Sequence, residues 1–64
     1  MKTLDKLAAL ESYYGLELTS NLGDWYMFAS KLSDLNDTYS FGWLPFEELV
    51  STAYYALIDS EEQA

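Results

Sequence analysis

The sequence predicts an all-α fold: a compact three-helix domain with an aromatic loop before the third helix. Three observations lead there. Apolar residues recur at helical spacing between Trp25 and Leu35, Pro45 stands where a helix would open, and the chain has 64 residues, room for one small core. A chain of that length buries only about 60% of the surface its unfolded form exposes, so every large apolar side chain counts. It has no Cys and no His, so neither a disulfide nor a structural zinc site is expected, and packing alone must hold it. The apolar share is 50%, with two Trp, three Phe and six Tyr, far from a disordered composition. Residues 1–64 are read as one domain.

The first helix is expected over about residues 4–14. Thr3 offers an N-cap oxygen, Gly15 stands where a left-handed residue would end the helix, and Leu4, Leu7, Ala8, Glu11 and Tyr14 form one stripe that Leu10 widens. Residues 16–22 are read as a connection with buried leucine anchors. The alternation of Leu16 and Leu18 with polar neighbours leaves a short extended piece open there. The second helix is expected over about residues 24–35, with Trp25, Phe28, Ala29, Leu32 and Leu35 on its inward face and Asn36-Asp37 as its stop. The loop Thr38-Tyr39-Ser40-Phe41-Gly42-Trp43 follows. Pro45 then opens a third helix, about residues 45–58, at its first position, with Glu47 and Glu48 set favourably against the helix dipole. Phe46, Leu49, Val50, Ala53 and Leu57 make its inward stripe, and residues 59–64 are read as a frayed acidic tail.

Charge is the strongest compositional signal. Eleven carboxylates face three lysines and no arginine, for a formal net charge of −8. Such a surface repels nucleic acid and anionic membranes and attracts basic protein surfaces, which are most abundant on nucleic-acid-binding proteins. Acidity also serves solubility alone. No stretch approaches the roughly 18 apolar residues of a membrane span, and the N-terminal segment has no secretory apolar core, so a cytoplasmic protein is expected.

Catalysis is not expected. Without His, Cys or Arg the chain lacks the commonest general base, the thiol nucleophile and the guanidinium clamp. The adjacent carboxylates Glu47-Glu48 and Glu61-Glu62 do not converge on one point of a helix. The glycines, Gly15, Gly23 and Gly42, belong to no phosphate-binding pattern. The segment from Asp34 to Asp37 lacks the spacing of a calcium loop. No metal and no cofactor is expected.

The aromatic excess points to binding. Three short helices cannot bury all of these rings, and of the neighbours Tyr13-Tyr14 and Tyr54-Tyr55 at least one each faces outward on a helix. Tyr and Trp are the usual anchors of protein interfaces, although phenol rings also lie flat on small cores with only the hydroxyl wet. Spread carboxylates can match the spacing of duplex phosphates, and interleaved aromatics add the apolar contact that exposed ion pairs do not provide.

In length, charge and aromatic content the whole chain resembles the small acidic inhibitors carried by bacteriophages and other mobile elements: anti-CRISPR proteins and DNA-mimicking anti-restriction proteins. The likeness rests on no motif and assigns no residue. It implies occlusion of the DNA- or guide-binding surface of a bacterial defence complex. The charge is less dense than in the most extreme DNA mimics, which gives the aromatic patches more weight.

The expected function is therefore inhibition by binding a basic nucleic-acid-binding protein or complex, without direct contact to nucleic acid or membrane. The expected contact residues are Asp34, Asp37, Glu47 and Glu48 around Tyr39 and Trp43, with Asp24 and Tyr26 as a second choice. Replacing Asp37 and Glu48 together by Lys is expected to abolish binding. The alternatives are a structural or assembly protein that dimerises through exposed tyrosines, and a regulatory partner of a transcription factor. The chain is expected as monomer or homodimer.

Overall fold

The computed structural model describes residues 2–59. Helix α1 (Thr3–Tyr13) is followed without a loop by three strands, β1 (Tyr14–Asn21), β2 (Asp24–Lys31) and β3 (Asp34–Leu44). Helix α2 (Phe46–Tyr54) comes next and runs into a single π-helical turn, Tyr55–Asp59. The strands form one antiparallel sheet in the order β1-β2-β3. The fold is α+β, not the all-α three-helix domain expected from the sequence.

The error lies in the middle of the chain. The residues assigned to a second helix, 24–35, are strand β2, a turn and the start of β3, and the expected aromatic loop is the far half of β3. The segment read as a connection, residues 16–22, supplies most of β1 and the following turn. Burial along β2 shows why: Met27 and Ala29 are fully buried, while Phe28 between them is 36% exposed. That is a period of two, and it puts Phe28 on the face opposite to Met27. Leu32 and Leu35, expected on an inward stripe, lie exposed.

Two turns join the strands. Between β1 and β2 the chain reverses through Leu22 (φ 54°) and Gly23 (φ 89°), both left-handed, the geometry that matches the twist of a two-residue hairpin. Glycine adopts it freely; for Leu22 it costs on the order of 1 kcal/mol. Between β2 and β3, Leu32-Ser33 makes the turn, and the Leu32 N–H donates to the Tyr13 carbonyl at 3.0 Å, tying this turn to the end of α1. Gly15 is not a helix terminator. It is a strand residue opposite Ser30, and the helix ends because Tyr14 is already extended, φ −133° and ψ 143°.

Helix ends also differ in detail from expectation. Lys2, not Thr3, holds the cap position of α1, with no side-chain cap, and the Thr3 hydroxyl instead donates to Glu47 Oε1 across the helix pair at 3.2 Å. Pro45 caps α2 instead of occupying its first turn, its carbonyl accepting from the Leu49 N–H at 2.9 Å. Of the expected tail, Asp59 closes the π-helical turn and residues 60–64 lie outside the described residues.

Both helices pack on one face of the sheet. The core between the two layers comprises Leu10 and Tyr14, Met27 and Ala29, and Leu49, Val50, Ala53, Tyr54, Leu57 and Ile58. Trp25, Phe41 and Phe46 close its edges, with the Trp25 and Phe46 rings edge to face at 5.3 Å. No polar or charged side chain among the described residues is buried. On α1 the expected stripe is displaced: Leu10 is the fully buried residue, whereas Leu4, Ala8 and Glu11 are exposed. The thinnest dimension, 17 Å, is that of one helix layer on one sheet, and no element of the described residues covers the other sheet face. No helix of the described residues is long and apolar enough to cross a membrane.

Candidate functional site: the uncovered face of the sheet

Strand alternation decides what the bare face carries. On β2 the residues between the buried ones are Asp24, Tyr26, Phe28 and Ser30. Across the ladder, Tyr26 stands opposite Thr19, and Phe28 stands between Glu17 of β1 and Ser40 of β3. Directly opposed residues share a face, so two aromatic rings lie in the middle of the outer surface, flanked by hydroxyls and one carboxylate.

Trp43 joins them because β3 is irregular. From Phe41, opposite Met27, to Leu44, opposite Trp25, β3 uses one residue more than β2. An extra residue of this kind reverses which way later side chains point. In a regular strand Trp43 would follow Phe41 inward and Leu44 would point out. The bulge instead turns Leu44 to the core and lifts Trp43 to the outer face, where its ring lies 5.5 Å from that of Tyr26 at 38°. Gly42 is what permits it. Its φ is +150°, and a Cβ there would sit 2.8 Å from Tyr26 Cδ2 and 2.9 Å from Tyr26 Cα.

The result is a surface with Phe28, Tyr26 and Trp43 in its middle, Trp43 being 49% exposed. A shallow depression beside Trp43 is lined by Asn21, Leu22 and Asp24. Leu22 caps it at the hairpin tip and is 98% exposed. Three strands about 4.8 Å apart give this face an area of roughly 300 Å².

Its charge is one-sided. Glu17 and Asp24 lie on it, and all three lysines lie elsewhere. Lys2 and Lys6 line the groove between α1 and α2 with Glu47, Glu48 and Ser51, and Lys31 has the inward parity of Met27 and Ala29. The Lys6 ammonium donates to Ser51 Oγ at 3.0 Å and lies 4.9 Å over the Tyr55 ring.

Of the residues expected to make contact, the structure brings together Asp24, Tyr26 and Trp43. It separates the others. Asp34 begins β3 at the opposite end of the sheet, where its Oδ1 accepts from the Asn36 N–H at 3.1 Å, a local turn bond. Asp37 lies half-buried in a three-residue irregularity between Asp34 and Thr38. Six strand residues, about 20 Å, separate it from Trp43. Tyr39 has inward parity, and its ring meets Tyr14 edge-on at 6.1 Å. Glu47 and Glu48 are on the helix side. Sequence reasoning missed Leu22, Phe28, Glu17 and Thr19 as members of this surface. The one local signal was Gly23 between two apolar runs, which marks a turn; the other central residue of that turn is Leu22, not the Asn or Asp that signals a two-residue hairpin.

Chemically the surface offers apolar area, aromatic faces that attract ammonium and guanidinium groups, and nearby carboxylates. Among the described residues no group of three or more carboxylates is placed to hold a metal ion. Compared with protein-family models, curated protein sequences and solved structures, the chain matches none of them.

Proposed function

We propose that this chain is a non-catalytic inhibitor that acts by binding, and that the uncovered sheet face is its contact surface. It docks on a Lys/Arg-lined surface of a nucleic-acid-binding protein, such as a bacterial defence complex, and occludes it. One observation carries the reading: aromatics and carboxylates share the bare face while every lysine lies off it. Cations of the partner would find ring faces and carboxylates together, with the apolar rings supplying the contact that charge in water does not. The bacterial-defence assignment rests on size, charge and composition alone.

The test is capture from a bacterial lysate on tagged protein, at low and high salt, with mass spectrometry as readout. Recovery of a nucleic-acid-binding complex that washes off at high salt supports the reading. Asp24→Lys combined with Trp43→Ala should then lose that complex. Asp37→Lys combined with Glu48→Lys, the pair that the sequence alone marks for loss of binding, places its charges at the far turn and the helix groove and should retain it. The reverse pattern would move the contact surface to the helix side.

A further inference from the structure

The two edges of the sheet are built differently. The β3 edge is broken twice, by the irregularity at residues 35–37 and by the bulge at Gly42-Trp43, features that spoil pairing with another strand. The β1 edge has neither. It pairs with β2 without a register shift over its whole length, from Tyr14 to Asn21. It contains no Pro and no Lys, and its single charge, Glu17, points to the outer face and not along the edge.

The hairpin geometry shows which backbone groups that edge presents. In a two-residue hairpin the flanking residues, here Asn21 and Asp24, exchange both hydrogen bonds, and the pattern alternates from there. Thr19 and Glu17 therefore bond to β2, while the N–H and C=O groups of Ser20, Leu18 and Leu16 point away from it. The side chains of Leu16 and Leu18, on the helix side, are only half-buried.

We propose that β1 is a docking edge for a second copy of this chain, joined antiparallel about a two-fold axis at Leu18. This register sets Leu18 against Leu18 and Leu16 against Ser20, gives about six backbone hydrogen bonds, and covers both leucines. It sets Glu17 opposite Thr19. Centring on Glu17 would force two carboxylates to within about 4.5–5.5 Å of each other and is disfavoured. The product is a six-stranded sheet whose aromatic faces run on continuously, doubling that surface to roughly 600 Å². Two-fold pairing through one self-complementary patch is the commonest form of association. The inference stands independently of the partner proposed above.

Because each copy carries −8, dimerisation should tighten as salt is added, opposite to the capture of a basic partner. The experiment is sedimentation velocity on the purified full chain over a concentration series at two NaCl levels, beside the same chain made synthetically with an N-methyl group at Leu18. That methyl removes an outward N–H and leaves the bonds to β2 intact. A dimer mass that grows with salt and is lost on methylation, with an unchanged circular dichroism spectrum, supports the proposal. A monomer at every concentration up to about 1 mM, a regime where even weak interfaces register, overturns it, as does a dimer that survives methylation. Amide hydrogen exchange gives a second readout that needs no variant. Leu16, Leu18 and Ser20 should gain protection with concentration while Glu17 and Thr19 stay protected throughout, and protection independent of concentration overturns the proposal.

Discussion

The two faces of this sheet are made from alternate residues of the same strands, yet they carry different burdens. The inner face, Met27 and Ala29 with Phe41 beside them, holds the helices and thereby the fold. The outer face, Tyr26, Phe28 and Trp43, is as apolar, but no layer of the described residues packs over it. Apolar area that a small protein leaves uncovered, rimmed by polar groups, is characteristic of a surface meant to be covered by a partner. A mutation on one face should therefore cost stability, and on the other, binding.

The largest effect should come from Met27→Ala. Removing a fully buried Met costs about 2–5 kcal/mol, against a total stability of roughly 3–10 kcal/mol for a chain of this length. Thermal or urea unfolding followed by circular dichroism should show a large loss or no folded baseline. Gly42→Ala comes next and tests the link between the faces. With a Cβ 2.9 Å from Tyr26 Cα and a backbone conformation that other residues avoid, about 2–3 kcal/mol should be lost. Trp43 should also leave Tyr26, which a change in tryptophan fluorescence would report.

Trp43→Ala should lower stability by only about 1 kcal/mol or less, since half the ring is in water and one ring contact is lost. Loss of partner capture without loss of fold would sharpen the division of labour. A loss of several kcal/mol would show instead that the outer rings hold the sheet together. The smallest effect has the opposite sign. Leu22→Asn places a residue that tolerates left-handed backbone at the hairpin tip and should raise stability by about 0.5–1 kcal/mol, seen as a melting temperature several degrees higher. If Leu22 is an anchor for the partner, the same change should weaken capture.

How far the sequence could be read depended on how many faces each segment has to bury. Helix α2 is amphipathic, and the stripe Leu49, Val50, Ala53 and Leu57 is apolar where it meets the core and polar elsewhere. That contrast has one period and one reading. Strand β2 has no such contrast. Trp25-Tyr26-Met27-Phe28-Ala29 is apolar at every position, because the outer face needs its aromatics as much as the inner face needs its core. An unbroken apolar run fits a helix and a strand equally, and periodicity cannot choose between them. The feature that makes the outer face a candidate site is thus the one that concealed the sheet. The site residues divided the same way: Asp24, Tyr26 and Trp43 could be named from residue type, but grouping them with Glu17 and Phe28 required the strand register.

The two side-chain hydrogen bonds that join α1 to α2 bear on how the molecule assembles. Each element packs against its successor in the chain: α1 on β1, β1 on β2, β2 on β3, and β3 on α2. Hairpins and sequential packing of this kind need only short loops to close and form early. The contacts of Thr3 with Glu47 and of Lys6 with Ser51 span more than forty residues, and closing a loop of that length carries an entropy cost the other steps avoid. Docking of α1 onto α2 is then expected to be the last event in refolding. Substitutions along that seam should leave the refolding rate nearly unchanged and appear instead as faster unfolding.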